Sequence, residues 1–283
     1  MKLIEFRSYF RNELKKIYTL EESDDFLKRI IHSYFDWESV KLGLEPDYQL
    51  TYFEENKLNS ALISLKKEKP LQYILGITNF FNLELEVNSS VLIPRPETEE
   101  LVDWILQKEN SLIENRLLDI GTGSGCIPIA LKKEIPSWQI SAIDISGKAL
   151  DVAKRNAINN NVKIEFHLMD ILGKVNWYYD LDIIVSNPPY VVPSEKNQMR
   201  ANILDYEPEL ALFVPEEDPL LFYKSIIEFA RENLNPKGIL YFEINPIFVN
   251  ELYSIIRNYN FEIIEVKKDF LKNPRMIRAV KSN

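Results

Sequence analysis

The stretch LLDIGTGSGC, residues 117–126, decides the fold class. Leu117-Leu118-Asp119-Ile120 reads as a short buried strand, and Gly121, Gly123 and Gly125 follow it at once, where the backbone must approach a ligand closely. A helix is expected at 126–133. Working outward from this turn, the apolar spacing predicts strands at 139–144, 162–168, 181–185, 239–244, 261–266 and 276–280, and helices at 148–159, 219–233 and 248–258. Such alternation predicts a parallel sheet covered on both faces, with ligands at the carboxyl ends of its strands. The last two strands, joined by a loop with no helical room, are expected as an antiparallel edge pair.

Upstream the design differs. Leu3, Phe6, Phe10, Leu14 and Ile17 recur every three or four residues, as do Phe26, Ile30 and Tyr34, so the stretch from Leu3 to about Lys69 reads as a small helical bundle. Ser23-Asp24-Asp25 and Pro46-Asp47 have the character of helix starts, and Lys66-Lys67-Glu68-Lys69-Pro70 that of a helix end. At Phe81-Asn82-Leu83-Glu84-Leu85-Glu86-Val87 the period changes to two, with Gly76 before and Asn88-Ser89-Ser90 after, which predicts a hairpin. The expected organisation is a helical domain at 1–74, a β-hairpin linker at 75–94 and an α/β domain at 95–283.

The 283 residues are 46% hydrophobic and 27% charged, a globular composition with no apolar run of transmembrane length. The N-terminus alternates apolar and charged residues at helical spacing, unlike a signal peptide, so a cytoplasmic protein is expected. Cys126 is the sole cysteine, with His32 and His167 the only histidines, which excludes a disulfide framework and predicts no metal site. Cys126 itself reads as a packing residue at a helix start. The net charge is 34 − 43 = −9; residues 1–80 hold 12 basic and 13 acidic groups, so the remainder carries 22 − 30 = −8. That balance argues against broad attraction to a phosphate backbone, and no direct nucleic-acid substrate is expected.

Asp144 closes the strand after the glycine loop. A glycine loop with an acid at the next strand end is a plan for holding adenosine: the carboxylate accepts the ribose hydroxyls while the loop passes beside the attached chain. Asp170, after the following strand, is placed to accept from the adenine amino group. Cys126 stands where the dinucleotide fingerprint wants a third-spaced glycine, which weakens a phosphate-binding reading. Nicotinamide-dependent and methyl-donor proteins share the rest of this plan.

A second constellation is SNPPY, residues 186–190. Pro188 and Pro189 cannot extend a ladder, so the strand before them must stop. Asn187, preceding a proline, is pushed toward extended geometry, which narrows where its carboxamide can point. The Asn187 carboxamide is thereby aimed, and the Pro188 carbonyl, outside regular backbone pairing, is left free to accept a hydrogen bond.

Together, G-T-G-S-G at 121–125, Asp144 and N-P-P-Y at 187–190 resemble the seven-stranded S-adenosylmethionine-dependent methyltransferases that modify planar nitrogens. With LQYILG at 71–76, IPRPETE at 93–99, DYEP at 205–208 and RMI at 275–277, the chain resembles the release factor glutamine methyltransferase family over nearly its whole length. The resemblance implies a helical substrate-recognition domain, a hairpin linker and a Rossmann-like class I methyltransferase domain. It implies transfer of a methyl group from S-adenosyl-L-methionine to the glutamine N5 in the Gly-Gly-Gln motif of class-1 peptide chain release factors. Gly121, Thr122, Gly123, Ser124, Gly125 and Asp144 would be cofactor contacts, with Asp170 and Ile171 on the adenine side and Asn187 beside the donor. Asn187, Pro188, Pro189 and Tyr190 would form the glutamine site, with Asn187, Pro188 and Tyr190 catalytic. Arg95 to Glu99 receive no role. One departure is Glu243-Ile244-Asn245-Pro246, where the family pattern has a glycine after Glu-Ile. Alternatives are an N6-adenine nucleic-acid methyltransferase, whose exocyclic amine presents the same N–H pair, a nicotinamide-dependent oxidoreductase and a non-catalytic binding module.

Overall fold

A computed structural model describes the chain apart from residues 39, 110–114, 174, 176 and 178–179. It forms two compact units, Met1–Ile77 with Arg200–Tyr206, and Thr78–Met199 with Glu207–Asn283.

The first unit is helical: α1 (Leu3–Leu14), α2 (Leu20–Phe35), α3 (Lys41–Leu44), α4 (Tyr52–Lys66) and α5 (Leu71–Leu75) enclose Phe6, Phe10, Leu27, Ile30, Leu58 and Leu62. Two predicted helix starts are corrected. α2 begins at Leu20 because Thr19 and Glu22 form a capping box that satisfies two orphan N–H groups reciprocally, which leaves Ser23-Asp24-Asp25 inside the helix. Asp24 is taken up instead by Arg11 and Arg7, whose guanidiniums hold its carboxyl far below the usual range. Likewise α4 starts after Thr51, boxed with Glu54, and Pro46-Asp47 lies in the preceding turn. The α4 end matches expectation, since it stops at Lys66 and Pro70 opens α5. The segment 200–206, read from the sequence with the α/β half, packs with this helical unit, where the Tyr206 hydroxyl donates to the Lys67 carbonyl at 2.7 Å.

β1 (Ile77–Phe80), in the second unit from Thr78 on, and β2 (Leu83–Glu86) form a two-stranded sheet. Phe81 and Asn82, expected within one alternating strand, are the turn between two, both left-handed at φ 47° and 60°. That pair of conformations matches the twist of a two-residue hairpin. There follow α6 (Pro96–Glu109), β3 (Arg116–Ile120), α7 (Cys126–Glu134), β4 (Gln139–Asp144), α8 (Gly147–Asn159), β5 (Glu165–Leu168), β6 (Leu181–Ser186), α9 (Ala201–Tyr206, in the helical unit), α10 (Glu209–Leu212), α11 (Leu221–Asn233), β7 (Leu234–Glu243), α12 (Val249–Asn258), β8 (Phe261–Lys268) and β9 (Pro274–Lys281). α6 has no counterpart in the sequence reading, although Pro96 opens it and Leu101, Val102, Trp104 and Ile105 bury one face. β7 starts five residues earlier than expected, through Pro236 and a left-handed Lys237 at φ 64°.

The seven strands lie in the order β5-β4-β3-β6-β7-β9-β8. Pairings from β5 to β7 are parallel, and β9 is antiparallel to both β7 and β8. The last two strands are thus an antiparallel pair, with β9 inserted next to β7 and β8 at the edge. Leu117, Ile183 and Tyr241 face one apolar layer, while Leu118, Ile184 and Leu240 face the other. The order reverses between β4 and β6 around β3. Parallel sheets leave a crevice at such a switch point, outside the carboxyl ends of the strands. No helix among the described residues is long and apolar enough to cross a membrane.

Candidate active site

The register Ile120↔Ile143 and Ile120↔Ser186 brings the ends of β3, β4 and β6 level, so the loops after them meet. Gly121, Gly123 and Gly125 are all left-handed, at φ 75°, 56° and 80°, which is why this loop is glycine-rich. They divide into two kinds. A Cβ on Gly125 would stand 3.0 Å from Ile129 Cδ1 and 3.1 Å from the Ala153 Cβ, so this glycine lets α7 and α8 approach. A Cβ on Gly121 or Gly123 would meet nothing within 4 Å, so these two face open space.

Asp144 is aimed by its neighbours. Gly123 N–H donates to one carboxylate oxygen at 2.8 Å and Ser146 N–H to the other at 2.8 Å. A carboxylate offers about four lone-pair directions, so each oxygen retains acceptor capacity. Burial pushes the Asp144 carboxyl up, opposed by the N–H groups of Ser146 and Gly123. Behind the loop Asp119 is 1% exposed, and neither of its oxygens, nor the Thr122 hydroxyl beside it, has a hydrogen-bond partner among the described residues. Burial pushes the Asp119 carboxyl up to about 7, and the Asp144 charge adds to the shift.

These loops border a cleft of about 200 Å³. Of the residues nominated from the sequence, Gly121, Gly123, Asp144, Asp170, Ile171, Asn187, Pro188 and Pro189 line it. Thr122, Ser124, Gly125 and Tyr190 do not; Thr122 and Ser124 are buried in the loop itself. Asp170 sits two residues past β5, in a turn where its carboxylate accepts from Leu172 N–H at 2.9 Å. The loop is also tied to the hairpin: Asn156, fully buried on α8, donates to the carbonyls of Glu86 at 3.0 Å and Ser124 at 2.9 Å and accepts from Glu86 N–H at 2.6 Å.

At the other side of the cleft, β6 ends with the Ser186 hydroxyl donating to the Ile120 carbonyl at 2.7 Å. The Asn187 side-chain N–H₂ donates to Thr98 Oγ1 at 3.2 Å, and the Thr98 hydroxyl donates to Glu243 Oε2 at 2.7 Å. The Tyr190 hydroxyl donates to Glu243 Oε1 at 3.1 Å. Burial pushes the Glu243 carboxyl up, against the hydroxyls of Thr98 and Tyr190 and the Arg275 charge. Burial, and then the Glu243 charge, pushes the Tyr190 hydroxyl well above the usual tyrosine range. The Asn245 departure is accommodated without strain: its φ of −74° and ψ of 121° are extended backbone open to any residue.

Thr98, Glu243 and Asn245 carry no role in the sequence reading. The available signal is Glu243 itself, a carboxylate inside the apolar run ILYFEI, because a charge in a buried strand needs partners. Arg95 and Glu99, left without roles, brace the chain: Arg95 pairs with buried Glu207 at 2.7 Å, and Glu99 accepts from Phe81 N–H at 2.9 Å at the hairpin tip. Among the described residues no group of three or more His, Cys, Asp or Glu side chains could hold a metal ion. Burial pushes the Cys126 thiol up to about 12, which leaves it a packing group.

Comparison with known proteins bears on the same region. The profile of the family described as "Methyltransferase small domain" matches residues 98–206. The chain is 45% identical over 277 residues to the release factor glutamine methyltransferase of Flavobacterium psychrophilum, covering 97% of each chain. It is 42% identical over 275 residues to that of Bacteroides thetaiotaomicron, covering 96% of this chain and 98% of the relative. Among solved structures, a methyltransferase of Pyrococcus furiosus, 15% identical, shares the fold with a TM-score of 0.52 over 82% of this chain and 100% of that one.

Proposed function

Because the chain belongs to the release factor glutamine methyltransferase family, we propose that it transfers a methyl group from S-adenosylmethionine to the side-chain N5 of the glutamine in the Gly-Gly-Gln motif of class-1 peptide chain release factors. A substrate drawn from the translation machinery implies a cytoplasmic setting.

The residues present suit the donor. Its adenosine needs an acceptor for ribose hydroxyls, which Asp144 supplies, and a backbone that can be approached, which Gly121 and Gly123 supply with open space where a Cβ would stand. Asp170 and Ile171 would border the adenine, and both line the cleft. The donor also carries cationic centres, and a nearby positive charge would favour the ionised form of Asp119, buried under the loop with no hydrogen-bond partner for its oxygens among the described residues. When bound, the donor supplies a methyl group made electrophilic by a sulfonium.

The protein's own part is to prepare the acceptor nitrogen. An amide nitrogen is a poor nucleophile because its lone pair is delocalised into the carbonyl. Asn187 Oδ1 and the Pro188 carbonyl accept its two N–H bonds and so hold the nitrogen in one orientation. Both acceptors interact more strongly as positive charge develops on that nitrogen, so they favour the transition state over the ground state. Tyr190, pinned through its hydroxyl to Glu243, fixes the end of the loop that carries Asn187 and Pro188. The proton shed by the nitrogen passes to water, so no histidine base is required.

The observation that carries this reading is the hydrogen bond from the Asn187 N–H₂ to Thr98, which commits the donor end of the carboxamide and leaves its oxygen as the acceptor. The net charge of −8 on residues 81–283 favours a protein acceptor over a nucleic acid. The helical unit is assigned to substrate docking, and it leaves Leu44, Tyr52 and Phe53 75%, 85% and 63% exposed.

The test is incubation of the full chain with radiolabelled donor and either a class-1 release factor, the same factor with the motif glutamine replaced, or DNA and RNA. Label confined to the intact release factor is the expected result. Label in nucleic acid, or in the factor lacking that glutamine, would overturn the assignment.

A further inference from the structure

Glu243 is the last residue of β7 and is 1% exposed. As a carboxylate it can only accept, and two hydroxyls from different elements are aimed at it: Thr98 of α6 at 2.7 Å and Tyr190 at 3.1 Å, the pair that opposes the upward push of burial on its carboxyl. Its main-chain carbonyl accepts from the Tyr223 hydroxyl at 3.1 Å, which fixes the strand end from the other layer. A threonine hydroxyl has one proton. Since that proton is committed to Glu243, Thr98 can offer Asn187 only a lone pair, and Asn187 can meet a lone pair only with its N–H₂, here at 3.2 Å. The direction of every bond in this series is therefore dictated by the carboxylate at its end.

This matters because a carboxamide is nearly symmetric in shape. Rotation by 180° about its last torsion exchanges oxygen for N–H₂ at little steric cost, and the torsion is intrinsically broad and two-fold. A flipped Asn187 would present donors to the donors of an amide substrate.

We propose that Thr98 and Glu243 are positioning residues that lock the polarity of the Asn187 carboxamide, so that its oxygen and not its N–H₂ meets the glutamine nitrogen. This rests on the methyl-transfer reading above. Neither residue touches the substrate; both act through Asn187, and Glu243 also anchors the Tyr190 ring. Thr98 lies in the PETEE segment and Glu243 stands 145 residues away, so the device is assembled by the fold alone.

The experiment uses full-length Thr98→Val, which keeps shape and removes the hydroxyl, and Thr98→Ser, which keeps the hydroxyl. Single-turnover transfer is measured with donor and release factor saturating, alongside donor affinity by calorimetry. In protein without substrate, the Asn187 side-chain amide signal in ¹H–¹⁵N spectra, identified by its loss in Asn187→Asp, reports protection of the N–H₂ protons from exchange. The expected result is a 10- to 100-fold slower transfer in Thr98→Val, donor affinity and KM for the release factor within about threefold, loss of N–H₂ protection, and restoration of rate and protection by Thr98→Ser. Glu243→Gln, which can accept from only one of the two hydroxyls, should slow transfer at least as much. A folded Thr98→Val that transfers within twofold of the native rate would overturn the proposal. So would equal slowing in Val and Ser variants with weakened donor binding, which marks a packing role. Asn187→Ala measured in parallel separates the two levels, because native transfer in that variant would defeat the clamp itself rather than its positioning.

Discussion

Asn245 Nδ2 lies 3.1 Å from the Tyr190 carbonyl, so the residue that stands where the sequence resemblance implies a glycine holds the far end of the Asn187–Tyr190 loop. The same amide donates to Glu195 at 3.1 Å, and its oxygen accepts from Ile247 N–H at 3.0 Å. Asn245 is 5% exposed, so water cannot replace these bonds freely. Asn245→Ala should lower stability by about 1–3 kcal/mol, the range for leaving buried polar groups unpaired. Urea unfolding measures it, and a loss under about 0.5 kcal/mol would show that the loop is held by other contacts.

The two kinds of glycine should respond oppositely to one added methyl. Gly125→Ala drives a Cβ against Ile129 and Ala153 at 3.0 and 3.1 Å in a left-handed backbone, so it should cost stability. The expected loss is about 2–4 kcal/mol, combining overpacking with the conformational penalty. Gly123→Ala meets only open space, so its fold cost should be confined to about 1 kcal/mol of backbone strain. Its methyl instead enters the cleft, and donor affinity measured by calorimetry should fall at least tenfold. Equal stability losses in the two variants would contradict this division.

How much of this was legible beforehand follows from where the information lies. The sheet strands and the glycine turn were readable because buried strands and left-handed glycines leave local signatures. The starts of α2 and α4 were not, because Asp24 and Pro46 look like caps, whereas the bonds were made by Thr19 and Thr51 with glutamates three residues on. In the cleft, Asn187 could be found from its proline neighbours. Its partners Thr98 and Glu243 could not be paired by any spacing rule, since they meet only when α6 packs over the end of β7. The segment 200–206 gave no sign that it leaves the unit containing its flanking residues.

Buried Asp119 predicts a pH dependence of stability. Its carboxyl is pushed from 3.8 up to about 7, so between those values the folded chain keeps a proton that the unfolded chain has lost. Its contribution to stability is therefore complete at the acid end and is lost as pH rises toward 7, at up to about 1.4 kcal/mol per pH unit. Asp119→Asn is neutral throughout and lacks this slope. In urea unfolding without methyl donor, the variant should gain on the native chain between pH 5 and pH 7 and hold a constant lead above that. A difference independent of pH would show Asp119 to be ionised in the folded state at pH 5.

The two sides of the cleft should separate when each loses one side chain. Asn187→Ala removes an acceptor facing the substrate while leaving Gly121, Gly123 and Asp144 in place. Single-turnover transfer at saturation should fall roughly 10²- to 10³-fold, or about 3–4 kcal/mol, the range for losing one preorganised polar contact at a developing charge. Donor affinity should stay within about tenfold. Asp144→Ala reverses the pattern. It deletes the carboxylate that Gly123 and Ser146 aim into the cleft, and a charge-assisted acceptor is worth about 1.5–3 kcal/mol of binding. Donor affinity should drop about 10- to 150-fold, while transfer with donor saturating stays within about tenfold of native. Calorimetry and single-turnover kinetics on both variants make the comparison direct. If both lose affinity and turnover in the same proportion, donor and acceptor are not held by separate sides of this cleft, and the assignment of Asn187 to the glutamine fails with it.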